Sequence, residues 1–224
     1  MRPQQAEAAP RKFAEDSSPL AEADLSAGQK RTVSLYCRFM NTAEAFSKAP
    51  LTVPLADVPA TLAFGKRVGQ ALLAARDVGC PLRFILLFGE LGSGKTTLTR
   101  GIVEALPGGE NAEVSSPSFT VCNEYPTRPL VIHCDLYRDE DAGGFASGLP
   151  DEAWDVLERS ASALVLVEWA QRLRPADLPL ERLDIRLESC HEKHVATLIA
   201  YGEAAGLVIG ELIRSGWSSP RRAR

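Results

Sequence analysis

Basic charge is in short supply in this sequence. Its 25 Lys and Arg are outnumbered by 29 Asp and Glu, for a net charge of −4 and a pI of about 5.5. That balance excludes a broad basic surface able to grip a nucleic acid unaided. Long hydrophobic runs are also lacking: the longest, Phe84 to Phe88 and Ala161 to Val167, fall well short of the ~20 residues that span a bilayer. The N-terminus shows no basic-then-apolar signal segment, so no membrane partner is expected and the cytoplasm is the expected address. The five cysteines, Cys37, Cys80, Cys122, Cys134 and Cys190, are scattered and never spaced as a metal or redox pair. They read as small core hydrophobes in a reducing compartment. His133, His191 and His194 show no ligand or triad spacing and read as structural or solvated.

What remains is enough for a core. Hydrophobic residues make up 45% of the 224 and charged residues 24%, which suits one domain of ordinary size. Its centre is Phe84-Ile85-Leu86-Leu87-Phe88-Gly89-Glu90-Leu91-Gly92-Ser93-Gly94-Lys95-Thr96-Thr97. A short apolar strand runs into glycine, four residues, glycine, lysine, threonine, and then into a helix stopped by Pro107-Gly108-Gly109. This is a phosphate-binding loop in its strand-loop-helix setting. Gly89, Gly92 and Gly94 let backbone N–H groups approach a triphosphate closely. The helix start adds unpaired N–H groups and the positive end of its dipole. Leu91, Ser93 and Thr97 complete the expected nucleotide-binding set. Lys95 is expected on the β- and γ-phosphates and the Thr96 hydroxyl on a Mg²⁺ ion. No Asn-Lys-x-Asp guanine-reading motif occurs in the chain, which favours ATP over GTP.

Residues 1–50, rich in Ala, Pro, Ser and mixed charge, read as a disordered extension with one short extended piece at Arg31 to Met40. Leu51 to Leu55 reads as a strand. Asp57 and Pro59 open an amphipathic helix over Pro59 to about Ala75. Phe119 to Tyr125 and Leu130 to Cys134 should form a hairpin, and Pro150 to Ser160 a helix packing Trp154 and Leu157. Leu183 to Leu187 and Val195 to Ile199 suggest a second hairpin, and Glu203 to Arg214 a last helix. The expected fold is α/β, a three-layer P-loop NTPase-like sandwich with a mostly parallel central sheet and antiparallel hairpins. It should occupy residues 51–215, with 216–224 a basic flexible tail.

Two carboxylates stand at strand ends. Asp135 follows the returning strand of the first hairpin, where open α/β sheets place catalytic groups. It either holds a Mg²⁺-bound water, orients the attacking water, or caps the next turn. Arg138 contacts phosphate or forms a surface pair. Glu168 closes Ala163-Leu164-Val165-Leu166-Val167, as the metal-side acid of a second nucleotide motif does. Trp169 lines the site or a partner surface, or packs in the core. Ser116-Pro117-Ser118-Phe119-Thr120 is either a γ-phosphate-sensing switch loop or an ordinary serine turn.

Four blocks, Gly89 to Gly101, Ser116 to Thr120, His133-Cys134-Asp135-Leu136-Tyr137-Arg138 and Val167-Glu168-Trp169, together resemble the TsaE family over about Leu51 to Arg214. The resemblance implies a P-loop ATPase that binds ATP and Mg²⁺ and works with the TsaD and TsaB proteins. Together they form threonylcarbamoyladenosine beside the tRNA anticodon, and tRNA meets this chain only through the complex. Position by position, Lys95 and Thr96 belong to the nucleotide site, Glu168 to the magnesium site and Asp135 to hydrolysis. Lys95, Asp135 and Glu168 are then the catalytic candidates, and Thr96, Glu168 and Asp135 the metal candidates. Ser118 stands where the family has Thr, Lys193 and His194 where it often has Arg, and Asp139 to Gly148 is richer in glycine. Two other readings fit a P-loop fold: a small-molecule kinase, and a nucleotide-switched binding module without catalytic duty.

Overall fold

The computed structural model describes residues 50–117, 121–137, 148–190 and 193–217. The N-terminal extension, Ser118 to Thr120, Arg138 with most of the glycine-rich loop, the turn at His191 and the end of the basic tail lie outside the described residues.

A seven-stranded sheet organises the chain. In chain order its elements are β1 (Leu51–Leu55), α1 (Val58–Asp77), β2 (Phe84–Phe88), α2 (Lys95–Glu104), β3 (Cys122–Tyr125), β4 (Val131–Asp135), α3 (Asp151–Arg159), β5 (Leu164–Glu168), β6 (Arg182–Cys190), β7 (Lys193–Tyr201) and α4 (Glu203–Arg214). The strand order is β1-β7-β6-β2-β5-β4-β3. Neighbours β6, β2, β5 and β4 run parallel, while β3, the first arm of one hairpin, is antiparallel to β4, β7, the second arm of the other, is antiparallel to β6, and β1 pairs antiparallel with β7. The fold is therefore α/β, with the parallel strands at its centre.

Alternation along each central strand feeds two cores. Ile85, Leu87, Leu164 and Leu166 face a large cluster with Phe64, Val68, Ile102 and Val208, from α1, α2 and α4. Leu86, Ile132, Val165 and Val167 face a smaller cluster with Ala153 and Val156 of α3. Both faces of β2 and β5 are thus covered, which is why they read as unbroken apolar runs. Helix α1 starts where Asp57 Oδ1 accepts the Ala60 N–H at 2.7 Å, with proline in the first turn.

Two expectations need correcting. Trp154 does not pack inward: it is 50% exposed, while Ala153 and Val156 are fully buried. Residues three apart share a helix face, and the stripe through 153 and 156 leaves 154 about 100° off it. Cys122 and Cys134 are not separate core thiols but form a disulfide. They are direct partners in the β3–β4 register, with Cα atoms 4.1 Å apart, so the hairpin brings together what sequence spacing keeps apart. Cys80 is a half-buried thiol.

Candidate nucleotide site

Strand β2 delivers the chain to Gly89, whose φ is 147°, and the loop turns again at Gly92 (77°) and Gly94 (96°). These left-handed values suit glycine. At Gly89 space is short as well: an added Cβ would lie 2.5 Å from the Leu187 carbonyl oxygen and 2.6 Å from Ser93 Oγ. Gly94 is the N-cap of α2 and brings no side chain to cap it, so the N-cap leaves the first-turn amides for another acceptor, the arrangement that anions use. Leu91 projects from the loop at 76% exposure, and Thr97 is half-buried.

Lys95 is folded back over this loop. Its ammonium donates to the Gly89 and Glu90 carbonyls at 2.7 and 2.9 Å. It also lies 4.1 Å from the centre of the Trp169 ring. Burial pushes its pKa below the ordinary lysine value, and the carboxylates of Glu168, Asp135 and Glu90 oppose the shift. The three acids favour the charged form that meets an anion, against the burial that disfavours it.

The parallel pairing of β2 with β5 sets Leu87 beside Glu168, and the next pairing sets Glu168 beside Asp135. Both acids therefore end at the edge from which the loop rises. Glu168 is 2% exposed. Its Oε2 accepts from the Thr96 hydroxyl at 2.9 Å. Its Oε1 accepts from the Thr99 hydroxyl at 3.2 Å and lies 2.8 Å from His133 Nε2. Asp135 is held separately: its Oδ1 accepts the Tyr137 N–H at 2.9 Å and its Oδ2 the Ser116 hydroxyl. The Asp135 N–H in turn donates to the Val121 carbonyl at 2.9 Å.

Lys95, Thr96 and Glu168 are thus brought together, with Trp169 lining the site and Asp135 one strand away beside Ser116. Pro117 is buried, and the remainder of that loop lies outside the described residues. Sequence reasoning missed two members. Thr99 sits three residues after Thr96 and so shares its helix face, a signal that was available. His133 shares a strand face with Asp135 by period two, but its tie to Glu168 depends on the β4–β5 register.

Hydroxyl and carboxylate oxygens are the donors a hard cation prefers. Among the described residues no group of three or more His, Cys, Asp and Glu encloses a metal. This donor set fits Mg²⁺, which takes one or two carboxylates and fills its remaining positions with phosphate oxygens and water.

Residues 55–196 match the family model described as threonylcarbamoyl adenosine biosynthesis protein TsaE. The chain belongs to the TsaE family. Among curated relatives, the tRNA threonylcarbamoyladenosine biosynthesis protein TsaE of Aquifex aeolicus is 39% identical over 98 residues, covering 43% of this chain and 65% of its own length, just under two thirds. The Mycobacterium tuberculosis protein of that name is 34% identical over 143 residues, covering 61% and 78%. That of Bacillus subtilis is 36% identical over 132 residues, covering 58% and 77%. Among solved structures, YdiB of Bacillus subtilis superposes with a TM-score of 0.55 at 28% identity, covering 75% of this chain and 96% of that one. All four blocks that suggested TsaE lie inside the matched span, while the wider resemblance, about Leu51 to Arg214, overruns it at both ends. Among the described residues no helix is long and apolar enough to cross a membrane.

Proposed function

We propose that this TsaE-family chain binds ATP with Mg²⁺ and hydrolyses it. Its turnover drives formation of threonylcarbamoyladenosine next to the tRNA anticodon, in the cytoplasm and in complex with TsaB and TsaD. The observation that carries the reading is the meeting of Lys95, Thr96 and Glu168 at the mouth of one glycine-lined loop, although Thr96 and Glu168 lie 72 positions apart. The loop amides and the α2 N-terminus grip the phosphate chain, and Lys95 exchanges the Gly89 and Glu90 carbonyls for β- and γ-phosphate oxygens. Thr96 and Glu168 hold the metal side. When bound, Mg²⁺ supplies neutralisation of the charge that develops between the β- and γ-phosphates. Asp135, fixed by Ser116 and Tyr137, orients the attacking water through its remaining lone pairs. The acidic balance of the chain agrees with tRNA being carried by the partners.

ATP hydrolysis measured with and without TsaB, TsaD and tRNA tests this. The expected result is slow turnover alone and a rise of ~10³-fold or more in the complex, abolished by Lys95→Ala. No hydrolysis in the complete assembly overturns it. If Asp135→Asn and Glu168→Ala stop hydrolysis yet leave tRNA modification intact, the chain is a nucleotide-switched module instead. Phosphoryl transfer to a metabolite makes it a kinase.

A further inference from the structure

His133 is completely buried, and its Nδ1 has no hydrogen-bond partner among the described residues. Its polar contact is Glu168 Oε1, 2.8 Å from Nε2. An ionised carboxylate can only accept, so Nε2 carries the proton. An imidazole buried for packing alone is a poor choice, because a polar ring half-satisfied in a core costs more than the Val and Ile that fill Val131 and Ile132 on the same strand. The placement makes sense for Glu168 instead. With His133 and Thr99 both on Oε1 and Thr96 on Oε2, the plane of the carboxylate is fixed. The His133 ring is itself stacked at 25° to that of Tyr125, centroids 6.4 Å apart.

We propose that His133 is a positioning residue for the metal-side acid, holding Glu168 Oε1 toward the interior so that Oε2 stays beside the Thr96 hydroxyl and faces the cation. This rests on the nucleotide reading of the loop. Without the imidazole, Oε1 keeps the Thr99 hydroxyl as its one donor, and the buried carboxylate rotates. That turn removes the oxygen that the metal side needs.

His133→Leu fills the space without a donor, and His133→Gln returns an N–H at nearly the Nε2 position. The readout is binding of a fluorescent ADP analogue, titrated with Mg²⁺ and repeated in EDTA. In His133→Leu the Mg²⁺ concentration for half-saturation rises about 10-fold or more, binding in EDTA stays as in the parent, and His133→Gln recovers most of the loss. In a Glu168→Gln background His133→Leu adds nothing, since the two act as one unit. An unchanged Mg²⁺ dependence, additive effects, or a folded Gln variant as impaired as Leu overturns the proposal. Should His133→Leu fail to fold, ¹⁵N imidazole spectra of the parent decide: an Nε2-bound proton whose resonance shifts in Glu168→Gln supports the contact, and one that does not shift overturns it. These spectra need no nucleotide, so a parent that binds none refutes the nucleotide reading while the His133–Glu168 pairing is still read directly.

Discussion

The Lys95 ammonium lies 4.1 Å from the centre of the Trp169 indole, and that indole hangs from a backbone with φ of 58°. For a bulky residue the left-handed region costs roughly 1–2 kcal/mol. The cost is offset by what the turn achieves: directly after Glu168 the chain swings the ring to 8% exposure, beneath Lys95 and against Tyr137 at 4.9 Å. If nucleotide draws the ammonium from the loop carbonyls toward phosphates, the indole loses its cation. Titration with MgATP is expected to change tryptophan emission in the parent and in Trp154→Phe, but not in Trp169→Phe. Unaltered emission at saturation would show that Lys95 does not move.

Glycine has a second task, where α1 crosses α2. A Cβ on Gly101 would stand 2.3 Å from the Leu62 carbonyl oxygen and 2.9 Å from Gly65 Cα, and one on Gly65 would stand 2.4 Å from the Leu98 carbonyl oxygen. These are backbone atoms, so the helices must part. Gly101→Ala should cost about 1–3 kcal/mol in urea unfolding and weaken nucleotide binding as well, because Lys95 and Thr96 start the helix that shifts. Gly210 in α4 has nothing within 4 Å of its added Cβ. Gly210→Ala should therefore stabilise by about 0.5–1 kcal/mol, and equal effects at the two sites would refute the close-crossing account.

Legibility followed the range of the cause. Asp57 with Pro59, the apolar runs of β2 and β5, and the fixed places Gly89, Gly94, Lys95 and Thr96 are set by neighbours in sequence and could be read there. The α/β class and the returning hairpins followed from them. Unread were the links made by register: Cys122 opposite Cys134, and His133 against Glu168 across β4 and β5. Strand β3 starts at Cys122, after Val121 takes φ of 63°, whereas Phe119 and Thr120 of the expected strand lie outside the described residues. Trp154 shows the reverse error, since hydrophobicity alone does not say which side of α3 faces the sheet.

Stability should carry an acid-range signature from Asp184. Its carboxylate is 2% exposed and accepts from Arg182 Nε at 2.9 Å. Burial lifts its pKa above the ordinary 3.8, with Arg182 opposing. Between 3.8 and the raised native value the folded state holds more proton than the unfolded one, so stability falls as pH rises. The favourable contribution is complete below 3.8 and lost as pH rises through the native value. Urea unfolding of parent and Asp184→Asn across this range should show the parent losing ground with rising pH and a constant difference above it. A difference independent of pH would mean that Asp184 ionises as freely in the fold as in the open chain.

The Cys122–Cys134 bridge closes a loop with a sequence separation of 12, and a cross-link of that span restricts the unfolded chain by about 2–3 kcal/mol. Cys122→Ser should lose this much under non-reducing conditions and match the parent once dithiothreitol is present, with thiol titration of the denatured parent rising by two groups on reduction. Cys134 stands between His133 and Asp135, and the Asp135 N–H is bonded to the Val121 carbonyl at the open end of the same hairpin. Reduction should therefore speed amide exchange at Asp135 before it affects Leu86 or Leu166 in the sheet centre, because local opening begins where the fewest contacts hold the strand. Uniform acceleration across all three would mean that the bridge acts on global stability alone.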